Sequence, residues 1–83
     1  MLFIFEREDM HSFWMKNTLL PLDLIFISEE LTVVDIIQAA PCKELPCANY
    51  TPEEKALYVV EVNQGYAKSK GIKIGDKVTI YVP

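Results

Sequence analysis

Short apolar runs separated by turn residues dominate the chain. "MLFIF" (1–5) is apolar throughout and reads as a strand. In "FWMK" (13–16) a period of two puts Phe13 and Met15 on one face and Trp14 and Lys16 on the other. "NTLLPLD" is a turn or irregular link, because Pro21 fixes its own φ and holds Leu20 extended. "DLIFIS" and "LTVVDIIQAA" are rich in Ile, Val and Phe, and "SEEL" makes a turn between them. A β-hairpin follows, with its register open. Leu24 and Phe26 share a face. On the second strand strict alternation groups Val34 with Ile36, and Val33 with Asp35 and Ile37. Both faces are apolar, which fits a strand covered on both sides.

"PCKELPCANYTPEEK" (41–55) has no period and reads as an ordered loop. Inside it Thr51, Pro52 and Glu54 spell a capping box, which predicts the start of a short helix. "LYVVEV" (57–62) is a strong strand. Asn63 stands where it would cap a second short helix over "QGYAKSK", and Gly71 where a helix-ending positive φ is wanted. "IGD" is a turn, and "KVTIYV" (77–82) predicts a last strand with Val78, Ile80 and Val82 on one face. Strands are not interleaved with long helices, so a parallel βαβ sheet is not expected. The pattern predicts a mainly β fold in one domain over 1–83: a small antiparallel β-sandwich or partly closed barrel with one or two short helices.

Composition narrows the function classes. An apolar fraction of 51% supports a packed core, and a formal charge of −4 opposes nucleic-acid binding, which needs a basic stripe. No apolar segment reaches the ~18–20 residues of a membrane-spanning helix. "MLFIFEREDM" lacks the basic and extended apolar regions of a signal peptide. With Met1 as the start the default compartment is the cytoplasm; a truncated N terminus would leave export open.

Cys42 and Cys47 each follow a proline and have four residues between them. Four readings stay open. A local disulfide would pin the loop. Two free thiols would behave as small buried hydrophobes. A thioredoxin-type redox pair would want Cys-x-x-Cys at a helix start. A zinc site would want about four ligands, where the chain offers two cysteines and one distant His. The first is favoured; closing so small a loop is worth about 2 kcal/mol or less.

The densest polar–aromatic cluster is "HSFWMKNT" (11–18). Trp14 and Lys16 on one strand face would form a wall for a polar small molecule or carbohydrate, with Asn17 and Thr18 as further polar groups. The competing reading makes the only Trp of a small domain a core residue and Lys16 a snorkelling surface residue. Asp23 is either a turn-capping carboxylate or part of that site. Glu61, between two valines, is either solvent-exposed or a carboxylate facing Lys16 in a cleft. His11 reads as a surface residue. No triad, phosphate loop or metal motif is recognisable, so catalytic residues remain unassigned and no metal or cofactor is expected.

The order of motifs resembles a known family. "MLFIF", "FWMKNTLLPLD", the paired Pro-Cys units before a Tyr-x-Pro, "YVVEV" and "GIKIGDKV" are similar to the domain of unknown function 192 family, also called uncharacterized protein family 0127. The matching positions are Trp14, Met15, Lys16, Asn17, Thr18, Pro21, Asp23, Cys42, Cys47, Tyr50 and Glu61. The resemblance implies a small, mostly β protein of sandwich type. It also implies export signals in many members, which suits a Cys42–Cys47 disulfide. It implies no activity. Members usually carry a strand and an Arg-Gly-Leu-Met stretch before the "MLF" motif, where this chain begins. Without that strand an edge stands open, and pairing with a second copy or a neighbour is expected.

Three functions follow as expectations: a non-catalytic binding or structural module with a site at Trp14, Lys16, Asn17, Thr18, Asp23 and Glu61; a thiol–disulfide protein using Cys42 and Cys47; and an acid–base enzyme drawing on Asp23, Glu61 or His11.

Overall fold

The structure, a computed structural model, describes residues 1–16 and 18–81. Its strands are β1 (Leu2–Asp9), β2 (Phe13–Trp14), β3 (Leu22–Ile27), β4 (Val33–Ala39), β5 (Asn49–Tyr50) and β6 (Ala56–Asn63), followed by the helix α1 (Tyr66–Ser69). β1, β6, β3 and β4 form a four-stranded sheet in that order, and every pairing is antiparallel. β2 and β5 form a separate two-stranded antiparallel ribbon. The mainly β, antiparallel expectation holds; the sheet does not close into a barrel.

β3 is the centre of the fold because its residues can be buried on both faces. Leu24 and Phe26 point one way, into a core with Met15, Ala39, Ala56 and Val59. Ile25 and Ile27 point the other way, against Val33 and Ala67. The ribbon covers the first face. Phe13 lies edge-to-face with Phe3, Phe5 and Phe26, at centroid distances of 5.4, 6.1 and 6.0 Å. Such pairs add to the burial of the rings themselves. The second face carries α1 and the segment that follows it.

The hairpin of β3 and β4 forms as expected, but its faces differ from strict alternation. Ile27 pairs with Val33 while Phe26 pairs with Asp35, so an extra residue of β4 is accommodated at Val34. This bulge puts Val34 with Ile37 on the first face, and Val33 with Ile36 on the second.

Three further expectations are corrected. Residues 51–55 contain no helix. The Thr51 hydroxyl is 2.6 Å from that of Ser12, and the Glu53 amide donates to Asp35 Oδ2 (3.0 Å), so partners from other elements replace the capping box. Asn63 does not cap α1: it ends β6, and the Asp23 carboxylate takes the amides at the helix start. The last segment forms one bridge, Thr32 with Lys77, and residues 79–81 belong to no strand. The bulge interrupts the edge of β4 there, and the Ile36 amide already donates to Asp35 Oδ1 (2.8 Å). Val82 lies outside the described residues.

Gly71 fulfils its expected role. Its φ is +68°, its amide donates to the Lys68 carbonyl, and the Ile72 amide donates to the Ala67 carbonyl. That pair of bonds is a Schellman ending, and Ile72 and Ala67 pack in the same apolar cluster. β1 pairs with β6 alone, so its outer edge is open in the sheet order. Glu6, Arg7, Glu8 and Asp9 occupy its second half, and charge is one way that edge strands resist pairing.

Candidate functional site

Asp23 is the second residue of β3, on the same face as Ile25. Leu22 sits on the opposite side, so the alternation of the strand turns the carboxylate towards α1. Asp23 is only 2% exposed. Its Oδ2 accepts the amides of Gly65 and Ala67, both at 3.1 Å. These are the N-cap and second helical amides of α1, so the carboxylate does at long range what a capping side chain does locally. Gly65 has φ +95° and presents no side-chain cap of its own. Oδ1, the other oxygen, is buried and has no hydrogen-bond partner among the described residues.

The same carboxylate lines a cavity of about 290 Å³. Ile36 and Gln38 of β4 form one wall, and Lys68 and Lys73 stand on the other, where the chain wraps past Ile72. A buried polar atom left without a partner costs about 1–3 kcal/mol, so such atoms mark places where a donor belongs. A second cavity of about 260 Å³ opens on the same sheet face, walled by Ile25, Val60, Val62, Tyr66 and Val78.

The other sequence-selected residues are not gathered there. Trp14 is 54% exposed and faces away from the core that holds Phe13 and Met15. The core reading of the single Trp is thereby corrected; period two along Phe13–Met15 sends the indole outward. Lys16 bridges to Cys42 and its ammonium donates to the Lys43 carbonyl (2.8 Å). It tethers the cysteine loop. The Thr18 amide donates to the Met15 carbonyl, and Asn17 lies outside the described residues. Glu61 pairs with Leu24, which places it on the face of Leu24, opposite to Asp23. His11 stacks on Phe5 at 3.7 Å and its Nε2 is 3.0 Å from the Arg7 carbonyl oxygen.

An acid–base site would need two of these groups to converge. Asp23 and Glu61 stand on opposite sides of one sheet. Glu61 exchanges backbone bonds with Met1, whereas His11 is tied to Arg7, about 20 Å further along β1 at ~3.3 Å per residue. Cys42 and Cys47 are joined by a disulfide, with an S–S distance of 2.06 Å. No group of three metal-ligating side chains occurs among the described residues.

Sequence reasoning named Asp23 but missed Gln38, Lys68 and Lys73. They have no motif: the β3–β4 register sets Gln38 opposite Asp23, and the return of the chain after α1 brings Lys68 and Lys73 to the same cavity.

Comparison with known proteins accounts for the motif order. Residues 1–80 match the DUF192 family, described as uncharacterized ACR. The chain belongs to the DUF192 family. A UPF0127 protein of Pyrococcus abyssi is 36% identical over 68 residues, covering 82% of this DUF192 chain and 51% of the relative. Two crystal structures are similar to it, each with a TM-score of 0.81 and 39% identity over 92% of the chain. One is a protein of unknown function from Novosphingobium aromaticivorans, of which 53% is covered. The other is a Sinorhizobium meliloti protein provisionally described as a transcription regulator, of which 57% is covered. This DUF192 chain therefore spans about half the length of the relatives it matches.

Proposed function

We propose that this DUF192 domain is a non-catalytic binding module for a small polar molecule, and that the ligand enters the cavity beside Asp23. The observation that carries the reading is Asp23: it lines a cavity whose other polar groups are Gln38, Lys68 and Lys73, and its buried Oδ1 has no hydrogen-bond partner among the described residues. Ligand sites combine an apolar wall with a few placed polar groups, and Ile36 and Ile72 supply the wall here. The volume is at the low end of the ~300–1,000 Å³ typical of such sites, which favours a metabolite of few heavy atoms. Trp14 and Lys16 take no part; Lys16 serves the disulfide loop. Nucleic acid is not part of the reading, because the chain carries twelve acidic residues against eight basic ones.

The test is an amide-resolved NMR titration of the whole chain with sugars, polyols, small amines and amino acids. Gly65 and Ala67 are the reporters, because their amides bond to the same carboxylate. A saturable shift at both supports the function. Shifts confined to the Trp14 indole and the ribbon would place the site elsewhere, and no shift with any probe would remove it.

A further inference from the structure

The charges around the cavity select among polar ligands. On one side stands a single carboxylate, 2% exposed and with one oxygen unpartnered. The same cavity is lined by two lysines, Lys68 in α1 and Lys73 beyond Gly71. Both are exposed, and long stems let such side chains line a cavity while keeping their charge in water. A simple amine satisfies Asp23 but meets two ammonium groups. A simple carboxylate satisfies the lysines but meets Asp23. A neutral sugar can donate to Oδ1, yet it leaves the lysines without a charge partner. A metal ion finds one acidic ligand and two cations.

Resting on the binding function proposed above, we infer that the ligand is a small zwitterion, an α-amino acid or a molecule built like one. Its ammonium donates to the Asp23 carboxylate, with the Gln38 amide beside it across the hairpin, and its carboxylate is held by Lys68 and Lys73. Charge-assisted bonds at both ends are stronger than neutral ones, and they fix the orientation of the ligand. The ligand is bound without being changed.

The experiment uses the whole chain, the twenty amino acids singly, and three partial probes: ethylamine, propionate and glucose. At least one amino acid should shift the Gly65 and Ala67 amides with saturation. Ethylamine and propionate should each bind at least about tenfold more weakly, since each lacks one charged end. Asp23→Asn keeps an oxygen for the α1 amides and turns an NH2 towards the cavity. It should abolish amino-acid binding in a folded protein. Lys68→Ala with Lys73→Ala should weaken amino acids about tenfold or more and leave ethylamine no weaker. If glucose or ethylamine binds and no amino acid does, the zwitterion is wrong and the binding function stands. If every probe leaves both amides unmoved, both are wrong.

Discussion

The two faces of the four-stranded sheet are finished differently. The Leu24–Phe26 face lies under the β2–β5 ribbon, with Phe13 set among three aromatic rings and Met15 fully buried behind it. The Ile25–Ile27 face carries a four-residue helix and a returning segment, with a cavity on either side of Ile72. One face is packed as a core. The other holds a smaller buried cluster, Ile25, Ile27, Val33 and Ala67, under a cover that Asp23 and the Schellman ending of α1 hold in place. A small domain has little stability to spare, so the binding proposed for the second face leans on the packing of the first.

The largest effect should come from the packed face. Phe26 is wholly buried, and Phe26→Ala should cost about 3–5 kcal/mol in denaturant unfolding. Ile25→Ala, on the cavity face, should fall near the low end of the ~2–5 kcal/mol range for such truncations, because the cavity already removes part of its packing. Equal losses at the two positions would break the comparison.

Asp23 comes next. Asp23→Ala strips the partner from the Gly65 and Ala67 amides and should cost about 1–3 kcal/mol. Asp23→Asn should recover most of that, since one amide oxygen can still accept both bonds. Hydrogen exchange at Ala67 would report it directly: fast in the Ala variant, protected in the Asn variant. A protected Ala67 in both would mean that α1 is held by Ile72 and its neighbours rather than by the carboxylate.

The disulfide belongs to the packed side, where Lys16 and the Cys42 amide tie its loop to the ribbon. Removing it with Cys42→Ala and Cys47→Ala should cost about 2 kcal/mol on the loop-closure argument. A redox titration sharpens the point. A potential below about −300 mV marks a staple, whereas one near those of cellular oxidoreductases makes the pair a chemical site.

How much of this was legible in the sequence follows from the range of the forces involved. β3, β4 and β6 were readable because runs such as "LIFI" and "LYVVEV" carry their own burial signal, and Gly71 because only the left-handed turn after α1 asks for glycine. The helix at Thr51 was not: its capping box is a local signal, and Ser12 and Asp35, distant in sequence, outcompete it. The faces of β4 were misassigned because a single-residue bulge inverts the alternation and leaves no mark in composition. Asp23 was readable as a capping carboxylate, but not as one that caps a helix more than forty residues away. The cavity was invisible for the same reason. Gln38 faces Asp23 only through a hairpin register the sequence left open, and Lys68 and Lys73 come from α1 and the segment after it, which no spacing rule joins to β3.

The smallest effect should come from Trp14. Trp14 is the largest side chain in the chain, and a core Trp cut to alanine would cost about 3–5 kcal/mol. Here Phe13 and Met15 take the inward positions, and the indole lies 54% exposed on the ribbon, across from Asn49. Trp14→Ala should therefore cost about 1 kcal/mol or less, the range of surface substitutions and cross-strand pairs. The fluorescence of the native protein should resemble that of a hydrated indole and be open to quenching by iodide. A loss of several kcal/mol, or a shielded indole, would mean that the ribbon is covered by something else. The packed face would then extend beyond Phe13 and Met15, and the contrast between the two faces would rest on the cavities alone.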